Sequence, residues 1–147
     1  MLNRLGDVFA SLHNHHVKYL VIGGIAAVLH GVPRATFDLD ILIEATEENA
    51  QRLLEAMREA RLGTATLIEA KELLAQEITI FQDRIRIDVQ TITPGLEFEA
   101  AWRRKETMEY QHRPFYVLSR QDLIASKRAA GRPIDLEDVR LLEVEDT

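Results

Sequence analysis

The chain has 147 residues, the length of one domain, with 46% hydrophobic residues to build a core and 29% charged residues, ordinary for a globular protein. It contains no cysteine, which excludes disulfides, thiolate metal sites and a thiol nucleophile. The 24 acids outnumber the 18 bases for a formal net charge of −6, which counts against a broad nucleic-acid footprint while leaving room for a local basic patch.

In chain order, Leu2, Leu5, Val8, Phe9 and Leu12 recur at helical spacing and predict an opening amphipathic helix. The start, with its early acid Asp7, does not read as a secretory leader, and no apolar run reaches membrane-spanning length, so a cytoplasmic protein without a membrane partner is expected. The helix gives way near His13-Asn14-His15-His16. Three histidines so close invite a metal reading, but no acid accompanies them, and a His-rich turn between helix and strand is the simpler account.

Tyr19-Leu20-Val21-Ile22 reads as a short strand that stops at Gly23-Gly24. Two glycines after a strand allow a tight turn and bring N–H groups close to a phosphate, with the following helix start adding positive potential. No third glycine completes the G-x-G-x-x-G dinucleotide fingerprint. A small-residue helix follows, and His30 reads as its end rather than as a ligand. The next apolar run is Phe37-Asp38-Leu39-Asp40-Ile41-Leu42-Ile43. As a strand it puts Phe37, Leu39, Ile41 and Ile43 on one face and Asp38 and Asp40 on the other, their Cα atoms about 7 Å apart. Two such carboxylates repel, and a divalent cation with hard-oxygen preference, Mg²⁺ or Mn²⁺, resolves the conflict.

Thr46-Glu47-Glu48 predicts an N-cap with an acidic first turn, and Ala50, Leu53, Leu54, Met57 and Ala60 form one apolar helical face with Gly63 as the stop. Thr64 to Gln76 is ambiguous apart from a short helix over Glu69–Gln76. Glu77–Phe81 and Ile85–Gln90 predict two strands joined by a tight turn at Gln82-Asp83-Arg84. In the second, Ile85, Ile87 and Val89 share a face and Arg86, Asp88 and Gln90 share the other. A carboxylate at the centre of that strand is either a solvent-facing residue or the third acid of a site. Thr93-Pro94-Gly95 breaks the sheet, Leu96–Lys105 has a helix-like pattern and Phe115–Leu118 predicts a further strand. Ser119 caps a helix that puts Leu123, Ile124 and Ala130 on or near one apolar stripe, with Lys127 between them, and ends at Gly131; Arg132-Pro133-Ile134-Asp135 opens a last helix containing Asp138, Val139, Leu141 and Leu142.

The set Gly23-Gly24, a spacer, Asp38-Leu39-Asp40 and a later strand acid, Asp88, resembles the nucleotidyltransferase superfamily with its polymerase-β-like fold. The fuller stretch from Gly23 to Ile41 looks most like the prokaryotic minimal nucleotidyltransferases and the AbiEii/MenT-type toxins. The resemblance implies an α+β fold, a mixed or antiparallel sheet packed against helices, with C-terminal helices, in a single domain over residues 1–147. It implies that Asp38, Asp40 and Asp88 hold Mg²⁺ or Mn²⁺, that Asp88 also orients or deprotonates the acceptor hydroxyl, and that Gly23 and Gly24 cradle the β- and γ-phosphates of an NTP. Arg34 and Thr36 match the family wording R-x-T-x-D-L-D and would meet phosphate and the metal surroundings; the plainer reading makes them a surface arginine and a strand starter, and both stand. Lys127, Arg132 and Asp135 match the closing motif of the same toxins, which implies that Lys127 meets the outer charge of the triphosphate; the plainer reading of Lys127 is a stem lying over the core edge with its ammonium in water. Two departures are the glycine at Gly24, where many relatives carry serine, and the lack of a counterpart to the long helical domain of the larger toxins, which argues against a tRNA-sized acceptor.

The function this implies is metal-dependent transfer of a nucleoside monophosphate from an NTP to a hydroxyl on RNA, protein or a small molecule, with a cognate toxin or antitoxin protein as a partner. The rival is a non-catalytic nucleotide- or protein-binding module of a toxin–antitoxin pair, which the acidity and small size leave open. A glycosyltransferase using Asp-x-Asp is a more distant third, since such domains need a longer chain.

Overall fold

The computed structural model describes residues 2–144 and contains one mixed six-stranded sheet with helices packed on it. The first helix, α1 (Leu2–Asn14), buries Leu5, Val8, Phe9 and Leu12 as its spacing dictates, and packs against β6 and α3. Strand β1 (Tyr19–Ile22) is buried on both faces and runs directly into the short helix α2 (Gly23–Leu29). Strand β2 (Leu39–Ile43) is followed by α3 (Glu47–Glu59), whose N-cap Thr46 accepts a hydrogen bond from the Asn49 N–H. A 3-10 turn (Gly63–Leu67) and the short helix α4 (Ala70–Leu74) lead into strands β3 (Ile78–Gln82) and β4 (Arg86–Gln90). Then come α5 (Phe98–Arg103), the hairpin of β5 (Glu106–Tyr110) and β6 (Arg113–Val117), and the helices α6 (Arg120–Ala130) and α7 (Pro133–Val144).

The strand order is β3-β4-β2-β1-β6-β5. β1 pairs antiparallel with β2 and parallel with β6, and β2 pairs parallel with β4, so the centre of the sheet is mixed and each edge is an antiparallel hairpin. Two pairings position the site: Ile22 lies opposite Asp40 on one side of β2, and Asp88 lies opposite Asp40 on the other. In a pleated sheet, directly paired side chains share a face about 5 Å apart, so Asp40 and Asp88 are forced together while Leu39, Ile41, Ile87 and Val89 point into the core.

Four expectations need correction. β2 starts at Leu39 rather than Phe37, which is 71% exposed, because β1 leaves the sheet at Gly23 and the β4 ladder begins at Leu39 with Ile87; Asp38 therefore precedes the strand. The helix after Thr46 ends at Glu59, and Arg61 in the left-handed region (φ 63°) makes the stop, whereas Gly63 opens the 3-10 turn. Ala130 is exposed rather than on the apolar stripe of α6, whose buried residues are Asp122, Leu123, Ser126 and Lys127. Strand β5 has no counterpart in the sequence reading: its pattern is mostly exposed, and its two-residue turn, Gln111-His112, takes φ values of 52° and 65° without the Asn-Gly or Asp-Gly that normally marks such turns. Gly131, by contrast, stops α6 in the left-handed conformation as expected, and Ser119 caps its start.

Candidate active site

The end of β1, the start of β2 and the last two helices enclose a cleft of about 290 Å³. Nine of the ten residues singled out from sequence line it: Gly23, Gly24, Arg34, Thr36, Asp38, Asp40, Lys127, Arg132 and Asp135. Asp88, the tenth, stands beside Asp40 on the neighbouring strand. Gln90, Thr93, Pro94 and Ile134 complete much of the rim.

Gly23 needs its lack of a side chain twice over. It has φ +68°, and a Cβ placed there would come within 2.4 Å of Asp40 Oδ2. Gly24 is crowded as well, its notional Cβ lying 2.9 Å from Thr36 Oγ1 and 3.3 Å from an Arg34 guanidinium nitrogen. The glycines thus let the backbone of the first turn of α2 lie directly against Asp40, Thr36 and Arg34. This is how Arg34 and Thr36 come to share the cleft with residues they do not neighbour in a strand.

The acidic wall holds Asp38, Asp40 and Asp88 with one guanidinium among them. Arg86, two residues before Asp88 on the same face of β4, donates from Nε to Asp88 Oδ1 at 2.9 Å and from Nη2 to Oδ2 at 3.2 Å. Its Nε is also 3.9 Å from Asp38 Oδ2. Burial, then the Asp88 charge, a hydrogen bond with Asp88 and the Asp38 charge push the Asp40 carboxyl up to about 7, and Arg86 only partly opposes them. Among the described residues no three His, Cys, Asp or Glu side chains stand close enough together to hold a metal ion as they are oriented. The donor chemistry nonetheless fits Mg²⁺ or Mn²⁺: three hard-oxygen carboxylates share a single monovalent counter-charge, and Asp40 is pushed toward its neutral form for want of another.

The opposite wall carries the cations. Arg34 binds Asp138 through both arms, Nε to Oδ1 at 3.1 Å and Nη2 to Oδ2 at 2.8 Å. Lys127 is only 5% exposed, and its Nζ lies 2.8 Å from Asp138 Oδ2 and 3.7 Å from Asp135 Oδ1. Arg132 binds Asp135 with Nε at 2.6 Å and Nη2 at 3.1 Å, and its backbone N–H donates to the same carboxylate. Burial pushes Asp138 and Asp135 up, but the hydrogen bonds from Arg34 and Lys127 in the first case, and from Arg132 in the second, outweigh it and hold both below the ordinary carboxylate range. Three cations and two buried anions leave this wall with a surplus positive charge facing the cleft.

Residues 3–146 match the family described as nucleotidyltransferases of unknown function (DUF6036). The chain belongs to this nucleotidyltransferase family. A solved structure from Thermotoga maritima, described as a "putative nucleotidyltransferase", superposes with a TM-score of 0.58 at 21% identity, over 98% of this chain and 92% of that one, and shows the shared fold. No curated protein is similar enough in sequence to count as a match. The fold is therefore the α+β nucleotidyltransferase fold, with α6 and α7 as its C-terminal helices.

Sequence reasoning placed Arg86 and Asp138 on their elements without giving them a role in this nucleotidyltransferase cleft. Both carried a signal. Arg86 stands at i−2 from Asp88, the strand period, and Asp138 at i+3 from Asp135, the helical one, so each shares a face with a residue already singled out. Lys127 is neither a stem with its ammonium in water nor a free cation, since two buried carboxylates hold it. Elsewhere, the histidines after α1 form a turn in which His16 is left-handed (φ 56°) and His15 Nε2 lies 2.8 Å from Glu59 Oε2. His30 follows α2, with Nε2 2.8 Å from the Leu118 carbonyl. No described helix is long and apolar enough to cross a membrane.

Proposed function

We propose that this nucleotidyltransferase moves a nucleoside monophosphate from an NTP to a hydroxyl acceptor, on RNA, protein or a small molecule, in a reaction that needs Mg²⁺ or Mn²⁺. One observation carries the reading: a single cleft sets Asp38 and Asp40, with Asp88 beside Asp40 on the neighbouring strand, against a basic wall from Arg34, Lys127 and Arg132, with the Gly23-Gly24 turn between them. Asp38, Asp40 and Asp88 would hold the divalent ion, which neutralises charge on the triphosphate and makes the α-phosphorus a better electrophile.

The protein's own part follows from the two walls. Gly23 and Gly24 admit the phosphates close to the backbone, while Arg34, Lys127 and Arg132 supply positive potential for the outer phosphate oxygens. The acceptor hydroxyl oxygen forms a bond to the α-phosphorus as the bond to the α,β-bridging oxygen breaks, pyrophosphate leaves, and the hydroxyl proton passes to the Asp88 carboxylate. Such chemistry draws on cytoplasmic NTP. A place in a toxin–antitoxin pair rests on the likeness of residues Gly23–Ile41 and Lys127–Asp135 to toxin motifs; co-purification of a small partner protein encoded beside this chain is its test.

The experiment is incubation of the purified protein with each α-labelled NTP and Mg²⁺ or Mn²⁺ against tRNA, protein lysate and small hydroxyl acceptors. Label in an acceptor that disappears in Asp38→Asn and Asp40→Asn supports transfer. The bidentate hold of Arg86 on Asp88 favours a second reading, a nucleotide-binding partner module. Saturable NTP binding with no transfer to any acceptor would decide for it.

A further inference from the structure

Arg86 engages both oxygens of Asp88, so a metal ion or an acceptor proton that comes to this carboxylate has to share it with a guanidinium already in place. The arrangement is specific rather than a loose surface pair. Arg86 and Asp88 are alternate residues of one strand, the guanidinium is in fork geometry with bonds of 2.9 and 3.2 Å, and the same Nε reaches to 3.9 Å from Asp38 across the gap between β4 and the start of β2. Asp88 is 16% exposed at its side chain, so the pair is shielded enough for its charge to matter, while Arg86 at 37% and Asp38 at 54% leave the guanidinium an open path outward. No other basic side chain makes an ion pair with Asp38, Asp40 or Asp88 among the described residues.

We propose that Arg86 is the built-in counter-cation of this acidic wall: it occupies Asp88 and leans on Asp38 in the metal-free protein and competes with the divalent ion for both carboxylates. Arg86 is thus a positioning residue whose cost is charged to metal binding and lowered when a nucleotide brings its own phosphate oxygens to the ion. The inference rests on the metal-dependent reading above. It also accounts for the three carboxylates failing to converge as oriented: one of them is turned to an internal cation.

The test is Mn²⁺ binding to the nucleotide-free protein, followed by the loss of the free-ion electron paramagnetic resonance signal, for the wild type, Arg86→Gln, Arg86→Lys and Asp40→Asn. Removing a competing guanidinium is expected to tighten Mn²⁺ binding about tenfold in Arg86→Gln, with Arg86→Lys between the two because a point charge cannot grip both oxygens of Asp88. Near-ultraviolet circular dichroism of each variant, with and without Mn²⁺, verifies the fold, and Arg86→Lys stands in if Arg86→Gln does not fold. Unchanged or weaker Mn²⁺ binding in the folded Arg86 variants, alongside wild-type binding that Asp40→Asn abolishes, overturns the role of Arg86 and leaves the metal site standing. Absence of Mn²⁺ binding in every protein, with or without NTP, overturns the metal-dependent reading and this inference with it.

Discussion

At the scale of single residues, Asp40 shows how a side chain's ionisation is set by its neighbours. Its carboxyl is held up near 7 by burial and by Asp88 and Asp38. In the unfolded chain it titrates near the ordinary value of about 3.9. Between those values the unfolded state releases a proton that the folded state keeps, so the metal-free protein loses stability as pH rises from about 4 to about 7. Denaturant titrations across that window should show the decline in the wild type and a flatter profile in Asp40→Asn. The same comparison should give Asp40→Asn no loss of metal-free stability at pH 8, since one of several like charges is gone. Gly23 is the complementary case. Gly23→Ala pays about 1–2 kcal/mol for its left-handed backbone, and its Cβ also displaces the Asp40 carboxylate, so a lowered melting temperature should come with weakened Mn²⁺ binding.

At the scale of elements, α7 is attached to the cleft by charge. Asp138 joins Arg34, just before β2, to Lys127 of α6, and Asp135 joins Lys127 to Arg132. Asp138→Ala would leave a 5%-exposed lysine with one carboxylate at 3.7 Å and free the Arg34 fork. Breaking a buried pair from one side costs about 3–5 kcal/mol, and calorimetry should register a loss of that order. By the same argument Lys127→Ala lowers stability as well as nucleotide affinity, so its effect on KM for NTP has to be read against its melting temperature. The hairpin between β5 and β6 offers the opposite kind of change. Gln111→Asn with His112→Gly supplies the residues a turn with two positive φ values prefers, and should raise stability by about 1 kcal/mol without altering Mn²⁺ binding.

At the scale of the whole molecule, the net charge of −6 coexists with a cleft whose helical wall is basic, so charge is sorted by place rather than spread evenly. Such a protein attracts a triphosphate locally while repelling long polyanions, and transfer to a nucleic acid, if that is the acceptor class found, should depend little on the length of flanking sequence. Ligand binding should be visible globally as well. Mg²⁺ with the preferred NTP at about a hundredfold over Kd should stabilise the fold by about 2.7 kcal/mol, read as a rise in melting temperature that EDTA cancels.

The sequence by itself determined the pieces whose causes are local. The two-residue period put Ile85, Ile87 and Val89 inward and Asp88 outward, the helical period drew the buried stripe of α1, and Thr46 and Ser119 capped the helices they precede. The grouping of Gly23-Gly24 with Asp38 and Asp40 was readable through the family resemblance, and the fold closes it with a strand, a short helix and a strand over a short stretch of chain. Only the tertiary structure decided what depends on partners distant in sequence. Asp88 meets Asp40 because β4 pairs in parallel with β2, and Arg34 meets Asp138 across 104 positions of sequence. β5 exists because β6 pairs with it, and no local pattern announces that. The charge state of the cleft belongs to the same class: whether Arg86 reaches solvent or Asp88, and whether Lys127 is free or held, follows from which groups the fold brings within a few ångströms, and Coulomb energy depends on that distance rather than on spacing along the chain.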